Sequence, residues 1–351
     1  MVNSPRSAAQ VGKIAAPVAS TTLALTRRVR TSALAFVMVA ACGSGGGSSG
    51  GNGPDAAVSH DPDGGNGPDG SSLAACTGKQ AQPLDATWSV GGRNVRVHIP
   101  ASYDPTRRMP VVLNLHGYSS DSGMQQTLSH MNAKADSAGF IAVAPDGHDS
   151  PRGWNAGVCC GAAATSGTND VAWLNTVLDE VLARTCVDTS RVYATGLSNG
   201  AFMAQRLACE DAGRIAAIAP VAGVVGTSTC SPSRPVPVFE IHGTSDPLIP
   251  FNGGGVNGNE SVPTTINRWV TANHCSAQTT TTYQHGDATC VTHGGCTDGA
   301  DVTLCTIDGG GHQWPGGDSI GAILGKKSDD LISTDAMWTF FAAHPMPATS
   351  Q

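Results

Sequence analysis

The sequence has little charge of either sign and lacks a basic surplus. Charged residues make up 13% of the 351 residues, and this composition excludes a coiled coil, a collagen and a highly charged disordered chain. Because the formal net charge at pH 7 is -7, no general excess of lysine and arginine exists to neutralise a phosphate backbone, and we expect no nucleic-acid partner. At roughly 100 to 200 residues per domain, the length allows one large domain or two small ones.

The N-terminal segment lacks acidic residues and lacks an apolar run of membrane length. Arg27, Arg28 and Arg30 precede the apolar residues 33–41, which at about nine residues are far fewer than the roughly 20 of a membrane-spanning helix. Basic, then apolar, then small residues is the order of a secretory signal. We therefore expect the mature protein to be extracellular or at the cell surface.

The end of this segment resembles a lipidation motif. Val39-Ala40-Ala41-Cys42 resembles a bacterial lipobox, so residues 1–42 are predicted to be a signal peptide whose Cys42 becomes a lipid anchor. That lipid is the one membrane contact that we expect. An ordinary signal peptide is the alternative, and the unusual length of residues 1–26 leaves open a translation start near Arg27.

A linker follows the signal segment. Residues 43–72 consist almost wholly of Gly, Ser, Asn, Asp and Pro, and the unit Gly-Asn-Gly-Pro-Asp occurs at 51–55 and again at 65–69. Burial of so few apolar residues cannot compensate for the entropy lost when the backbone is ordered. The segment is therefore predicted to be a flexible tether. The remaining residues, 73–351, are predicted to form one domain.

Ten cysteines remain once Cys42 is set aside. An even number in an exported chain indicates disulfides, although it leaves their pairing open. A metal site is the alternative for one group of residues, which consists of His285, Cys290, His293 and Cys296. Their spacing matches no zinc template, and Cys275 and Cys305 flank them as disulfide partners, so we expect no metal.

The predicted domain alternates short apolar runs with amphipathic ones. Residues 111–115 and 140–144 are nearly continuous apolar runs, which is typical of strands covered on both faces of a parallel sheet. A helix is predicted over 123–138 between them, and the alternation continues to a closing helix near the C-terminus. This pattern predicts an α/β fold with a doubly wound, mostly parallel sheet and helices on both faces. Only residues 275–299 interrupt this alternation, and they are predicted to form an inserted segment, or excursion from the sheet, that disulfides hold in place.

One turn carries the pattern of a serine nucleophile. Gly196-Leu197-Ser198-Asn199-Gly200 follows a predicted strand at 192–195 and precedes a predicted helix at 199–209. In this context the glycines allow a strained turn that lifts the serine hydroxyl out of the sheet. We therefore predict that Ser198 is a nucleophile; a purely structural turn is the alternative.

A serine nucleophile needs a base and an acid, which should follow it in the order acid, then histidine. Asp246 lies in a loop after the predicted strand 236–241, and His312 lies in a glycine-rich loop after the predicted strand 302–307. Both are at strand ends, where such sites are built, so we predict Asp246 as the acid and His312 as the base. The rivals are His242 as base and Asp308 as acid.

The site also needs donors for a negative oxygen and a surface for the substrate. The backbone N–H groups of Asn199 and Tyr118 are predicted to form the oxyanion hole, because one follows the nucleophile and the other follows an early strand. Trp314 and Trp154 are predicted to line the substrate site, with core packing as the alternative.

Taken in order along the chain, several motifs resemble those of the secreted serine esterases of the polyhydroxybutyrate depolymerase type, which overlap with the feruloyl and acetylxylan esterases of carbohydrate esterase family 1. The motifs are Leu115-His116-Gly117, Gly153-Trp154-Asn155-Ala156-Gly157 with Cys159-Cys160, Asp170-Val171, Gly196 to Gly200, His242 to Asp246, Gly311 to Gly317, and Met337-Trp338 to His344-Pro345. The resemblance implies an α/β-hydrolase fold, no cofactor and acyl-enzyme chemistry, with Ser198, Asp246 and His312 matching the family's triad. Asn169, where a second acid is expected, departs from the pattern.

Together these observations predict an exported, monomeric serine esterase. Its substrate is expected to be a polymeric or small ester, either a feruloyl or acetyl ester of plant polysaccharide or a poly(3-hydroxybutyrate)-type polyester. The acidic body of the protein favours an uncharged substrate. A serine peptidase on the same fold and a non-catalytic binding lipoprotein are the alternatives.

Overall fold

A computed structural model describes residues 76–255 and 257–348. The predicted signal peptide, the predicted linker and Cys42 lie outside the described residues. Within the described part, none of the helices has the length and apolar character needed to cross a membrane.

The described residues form one mixed sheet of ten strands. In chain order these are β1 (Asp85–Val90), β2 (Arg93–His98), β3 (Met109–Leu115), β4 (Ile141–Pro145), β5 (Val187–Leu197), β6 (Ala217–Val221), β7 (Val238–Gly243), β8 (Thr279–His285), β9 (Ala288–His293) and β10 (Val302–Ile307). Across the sheet the order is β1-β2-β4-β3-β5-β6-β7-β10-β9-β8. The neighbours from β4 to β10 are parallel, whereas the two strands at each edge pair antiparallel.

The described part also contains seven α-helices. They are α1 (Ser122–Ser129), α2 (Met131–Ala138), α3 (Gly161–Thr165), α4 (Asp170–Arg184), α5 (Asn199–Glu210), α6 (Val262–Ala272) and α7 (Ser333–Ala343). Short 3-10 turns lie at Thr297–Gly299 and Ala322–Leu324.

Helices cover both faces of the sheet, because alternate strand residues point in opposite directions. On β3, Val111 and Leu113 belong to a core cluster shared with the apolar faces of α4, α5 and α6. Val112, between them, belongs to a second cluster shared with α1, α2 and α7. The structure thus confirms the predicted doubly wound, mostly parallel sheet.

Two elements differ from the sequence prediction. The single helix expected over 123–138 is two helices, because His130 adopts a left-handed backbone conformation with φ of 54° and its N–H bonds the carbonyl of Thr127. The expected excursion at 275–299 contains a hairpin, β8 and β9, which extends the sheet by antiparallel pairing with β10.

Five disulfides use all ten cysteines of the described residues, which confirms the prediction that the chain is disulfide-bonded. The pairs are Cys76–Cys186, Cys159–Cys160, Cys209–Cys230, Cys275–Cys296 and Cys290–Cys305. Cys290 and Cys296, the two cysteines of the alternative metal site, are therefore both bonded to other cysteines. The second of the two hairpin strands is tied to β10 by Cys290–Cys305.

Candidate active site

Ser198 lies on a sharp turn between β5 and α5. Its backbone has φ of 56° and ψ of -124°, a conformation that few non-glycine residues adopt and that marks strained functional positions. The turn is possible because residues 196 and 200 are glycines: a Cβ atom at Gly196 or Gly200 would collide with the carbonyl oxygen of Leu115 on β3. The neighbouring strand β6 holds the turn from the other side, since Ser198 N–H donates to the carbonyl of Val221 at 2.9 Å.

His312 and Asp246 form a buried pair on the loops after β10 and β7. His312 Nδ1 lies 2.7 Å from Asp246 Oδ2. The other carboxylate oxygen of Asp246 accepts the backbone N–H groups of Leu248 and Ile249, each at 2.8 Å. Burial raises the pKa of the Asp246 carboxyl, but the hydrogen bond and charge of His312 together with the charge of His242 outweigh it, so that the pKa lies below its ordinary value. Asp246 is therefore a carboxylate, and His312 donates to it from Nδ1.

Ser198 and His312 line the same cleft, whose volume is about 1120 Å³. Because Nδ1 of His312 carries the proton that Asp246 accepts, the Nε2 atom of a neutral His312 has a free lone pair. The Ser198 hydroxyl and the His312 ring, whose Nε2 can accept a proton, therefore both line one solvent-accessible space. This arrangement suits the transfer of an acyl group through the serine.

The loop after β3 lies directly beside Ser198. A Cβ atom at Gly117 would be 3.5 Å from Ser198 Cβ, and the following residue, Tyr118, lines the cleft. Buried His116 supports this loop: its Nδ1 lies 2.7 Å from the carbonyl of Gly117, and its Nε2 accepts the N–H of Gly147 at 2.8 Å. Burial lowers the pKa of His116, which fits a neutral ring that donates at one nitrogen and accepts at the other.

Asn199 occupies the first position of α5, where a backbone N–H has no acceptor within its own helix. Its side chain has a second use that the sequence did not indicate. The carboxamide accepts the N–H of Trp154 at 2.7 Å, and it donates to the carbonyls of Trp154 and Cys159 at 3.1 Å each. Asn199 thereby ties the segment that contains the Cys159–Cys160 disulfide to the base of the cleft. Only the position of Asn199, directly after the predicted nucleophile Ser198, marks it in the sequence.

The structure does not place the two predicted substrate-binding tryptophans in the cleft. Trp154 and Trp314 are both fully buried. The indole N–H of Trp154 donates to the carbonyl of His116 at 2.9 Å, and that of Trp314 donates to Thr334 Oγ1 at 3.1 Å. Both rings therefore support the site from the core, which was the alternative interpretation of the sequence.

Neither of the two rivals for the triad lines the cleft. His242 is buried at the end of β7 and does not line the cleft. Asp308 is exposed, and its carboxylate accepts the hydroxyl of Thr244 at 3.3 Å.

The rest of the cleft is mainly aliphatic. Its apolar lining comes from the loop after β3, from α1, from the end of β5, from the loop after Asp246 and from the segment before residue 325. It includes Tyr118, Met124, Leu128, Leu197, Leu248, Ile249, Ile320 and Leu324. Asp121 and Asp318 add carboxylates near the same space. The lining therefore disfavours an anionic ligand and favours an uncharged one with apolar groups.

Comparison with known proteins identifies the relatives of this chain. The family model for esterase PHB depolymerase matches residues 97–266. Feruloyl esterase C of Emericella nidulans is 30% identical over 284 residues, which cover 78% of this chain and 92% of that protein. A bifunctional acetylxylan esterase/xylanase of Neocallimastix patriciarum and feruloyl esterase B of Piromyces equi are each 30% identical, but this chain spans only 31% and 42% of their lengths.

A solved structure shows the same fold. The acetyl xylan esterase of Aspergillus awamori superposes with a TM-score of 0.52 at 14% identity, over 66% of this chain and 94% of that protein. These similarities confirm the fold and the resemblance that the sequence motifs predicted. The chain belongs to the polyhydroxybutyrate depolymerase and feruloyl esterase type of α/β-hydrolases.

Proposed function

We propose that this chain is an exported serine esterase that hydrolyses carboxylic esters through an acyl-enzyme. The observation that carries the proposal is the shared cleft of Ser198, on its strained turn, and His312, whose Nδ1 is held by Asp246 at 2.7 Å. A pure binding protein has no need for a nucleophile, a base and an acid in this order. Membership of an esterase family supports the same conclusion.

In the first half of the reaction, Ser198 Oγ attacks the ester carbonyl carbon while His312 Nε2 takes the hydroxyl proton. The imidazolium that forms is stabilised by the Asp246 carboxylate, which remains ionised. The carbonyl oxygen becomes an oxyanion, and the backbone N–H groups of Asn199 and Tyr118 are its proposed donors. The intermediate then collapses: the bond to the alkoxy oxygen breaks, and His312 returns its proton to the leaving alcohol.

In the second half, water replaces the alcohol. His312 removes a proton from the water as it attacks the acyl-Ser198 carbonyl, and the same donors hold the second oxyanion. Collapse then breaks the bond to Ser198 Oγ, which regains its proton from His312, and releases the carboxylic acid. The three side chains end in their starting protonation states.

The substrate is proposed to be an uncharged ester, polymeric or small. A cleft of about 1120 Å³ with aliphatic walls has room for an acyl group together with part of its alcohol, and Asp121 and Asp318 repel anions. Two classes fit these features: feruloyl or acetyl esters of plant polysaccharide, and poly(3-hydroxybutyrate)-type esters. The names of the relatives, feruloyl esterase and acetylxylan esterase, favour the first class, whereas the family description favours the second.

Export and anchoring are proposed from the sequence of residues 27–42, and we expect a monomer held at a membrane by lipid on Cys42. Five disulfides in the described residues fit an oxidising compartment outside the cytosol. Intact-mass analysis of the membrane fraction tests the anchor: a mature chain that starts at a diacylated Cys42 supports it, and an unlipidated N-terminus contradicts it.

The activity is tested with methyl ferulate, acetylated xylan and a 3-hydroxybutyrate oligomer as parallel substrates for the purified protein and its Ser198→Ala variant. Loss of the nucleophile is expected to lower kcat by on the order of 10⁴-fold or more, with an unchanged Tm. The preferred ester identifies the substrate class. Hydrolysis that survives in Ser198→Ala, or no hydrolysis together with no labelling of Ser198 by a fluorophosphonate, contradicts the proposal.

A further inference from the structure

Strand β7 carries a second buried acid and imidazole, which the mechanism above does not use. Glu240 and His242 are two residues apart on β7, so both side chains point to the face of the sheet that α5 and α6 cover. The side chains of both residues are fully buried, and Nδ1 of His242 lies 3.3 Å from Glu240 Oε1. Buried ionisable groups are costly unless they are paired, so their presence behind the active site calls for an explanation.

Hydrogen-bond donors surround Glu240. Gln205 on α5 donates from Nε2 to Glu240 Oε2 at 3.0 Å, and the backbone N–H of Gly223 donates to the same carboxylate. Gln205 is itself oriented by Trp269 on α6, whose indole N–H donates to Gln205 Oε1 at 2.6 Å. Because the amide oxygen is occupied in this way, Gln205 turns its donating nitrogen to Glu240. The surroundings of Glu240 are those of an ionised carboxylate, which only accepts.

Acceptors, in contrast, surround His242. Its Nδ1 faces Glu240, and its Nε2 lies 2.9 Å from the carbonyl of Ile249 and 3.6 Å from Asp246 Oδ2. A ring with an acceptor at each nitrogen and a carboxylate on either side is in the environment of an imidazolium. Burial lowers the pKa of His242, but the hydrogen bond and charge of Glu240 with the charge of Asp246 outweigh it, and the pKa lies above its ordinary value. Burial raises the pKa of Glu240, and the hydrogen bond and charge of His242 oppose this rise.

The contact with Ile249 links this pair to the triad. The carbonyl of Ile249 is bonded by His242, while its N–H donates to Asp246 Oδ1 at 2.8 Å. The turn that carries Asp246 is therefore held from the core by His242 and closed on itself by Asp246. Asp246 Oδ2 then lies between two imidazoles, 2.7 Å from His312 on the cleft side and 3.6 Å from His242 on the core side.

We propose that His242, held by Glu240, is a positioning residue of the active site: it fixes the turn that carries Asp246, and its positive charge weakens the attraction between Asp246 and a protonated His312. This inference rests on the proposed esterase function, since it concerns the base of that reaction. The titratable groups that face His242 are Glu240 on its own strand and Asp246 on the following turn, while α5 and α6 contribute the uncharged Gln205 and Trp269. A cation at this position makes His312 easier to deprotonate, which extends its action as a base to lower pH.

The test is the pH dependence of kcat/KM for a neutral ester in His242→Gln and Glu240→Gln. In His242→Gln the side chain keeps an amide donor for the carbonyl of Ile249 but carries no charge. The Asp246 carboxylate then stabilises the protonated form of His312 without an opposing positive charge beside it. The acid limb, which reports the free enzyme's base, is expected to move up by about one pH unit in His242→Gln. A smaller shift in the same direction is expected in Glu240→Gln, in which His242 loses the partner that keeps it charged.

His98→Gln is the matched control. His98 on β2 is also buried between two carboxylates, with Nδ1 at 2.9 Å from Asp85 and Nε2 at 3.0 Å from Asp136, but its strand lies at the far side of the sheet. Loss of this imidazole is expected to lower Tm and to leave the acid limb where the wild type has it. A purely structural role for His242 predicts the same behaviour in His242→Gln.

Nitrogen-15 NMR of the histidine rings in the wild type gives a readout that does not depend on activity or on a variant that folds. Both ring nitrogens of His242 are expected to be protonated at pH 7; a neutral His242 overturns the proposal. An active wild type with an unmoved acid limb in both glutamine variants overturns it too, while the esterase assignment stands. A wild type that neither hydrolyses esters nor reacts with a fluorophosphonate refutes the esterase function instead. The protonation of the His242 ring then still tests whether His242 and Glu240 form an ion pair.

Discussion

The two sides of the cleft are built in different ways. On the triad side, which is named for the proposed roles of Ser198, Asp246 and His312, these residues lie at the carboxyl ends of β5, β7 and β10. Asp246 and His312 are buried and hydrogen-bonded to each other. On the outer wall, which consists of Met124 and Leu248, the side chains are apolar and open to water. Met124 is 58% exposed and Leu248 is 44% exposed. The comparison suggests a division of roles that can be tested: the proposed chemistry uses groups fixed by parallel strands, and we expect selectivity to depend on the exposed side chains of the outer wall.

The largest expected effect is on the triad side. In Asp246→Asn the side-chain oxygen still accepts the N–H groups of Leu248 and Ile249, but the amide nitrogen cannot accept the Nδ1 proton of His312. The imidazole then favours the wrong tautomer, and kcat is expected to fall by about 10³- to 10⁴-fold with little change in KM. Steady-state kinetics on any hydrolysed ester measures this.

Asp308→Asn is the control for Asp246→Asn, because Asp308 is the acid that the sequence left as a rival and is exposed in the structure. It is expected to keep wild-type kcat. If the two variants lost activity equally, the acid would not be identified by the short contact with His312, and the account of the triad side would be wrong.

The next effect concerns the hydrogen bonds that tie the segment of Trp154 and Cys159 to Asn199 at the base of the cleft. Asn199→Ala removes three hydrogen bonds from the carboxamide to Trp154 and Cys159, all buried, and leaves the N–H of Trp154 without this acceptor. Because an unsatisfied buried group costs about 1 to 3 kcal/mol, the free energy of unfolding is expected to fall by about 2 to 4 kcal/mol. Chemical denaturation of both proteins checks this value.

Asn169→Ala provides the comparison for that loss. Asn169 also begins a helix, α4, but its side chain accepts a single N–H, that of Ala172 at 3.0 Å, in a more exposed position. Loss of such a cap typically costs about 1 kcal/mol. An equal loss in the two variants would show that the three buried hydrogen bonds of the Asn199 carboxamide stabilise the fold no more than one exposed helix cap does.

Much of the fold followed from the sequence because apolar periodicity reports burial directly. Residues 111–115 and 302–307 were predicted as strands and lie in β3 and β10. Periodicity does not report backbone handedness, so the break at His130 was missed inside an otherwise helical pattern. The hairpin of β8 and β9 was missed for another reason: β8 is a threonine-rich strand that is exposed along its length, and its pairing partner gives it its place.

The candidate site also contains residues that the sequence could predict and residues that it could not. Ser198, Asp246 and His312 were predictable because chain order and strand ends constrain where a triad can lie, and they remain predicted roles that the experiments above test. The position of an indole is not constrained like this, since Trp314 serves equally well as a cleft wall or as a core residue, and here it is fully buried. The pairing of His242 with Asp246 and Glu240 depends on distances of 3.3 to 3.6 Å, about which the order of residues says nothing.

The smallest expected effect is on the outer wall. Met124→Ser and Leu248→Ser remove apolar side chains that are already half exposed, so a bound substrate covers only part of each. At about 25 cal/mol per Å² of apolar surface, loss of a few tens of square ångströms of contact corresponds to about 1 kcal/mol, or roughly 5-fold in kcat/KM. This loss is expected in KM for esters of long acyl chains, and acetyl esters are expected to be unaffected because they do not reach the wall.

Ile323→Ser is the matched control for the wall variants, because Ile323 is 91% exposed and does not line the cleft. It removes a similar apolar side chain from a nearby turn without touching the space that the substrate would fill, so its kinetics should equal those of the wild type for every chain length. If Met124→Ser and Leu248→Ser instead lowered kcat for acetyl esters, the outer wall would be acting on the reacting groups themselves. Chemistry and selectivity would then not be divided between the two sides of the cleft, because a contact that serves only to bind the distant end of a long acyl chain has no way to slow the turnover of a short one.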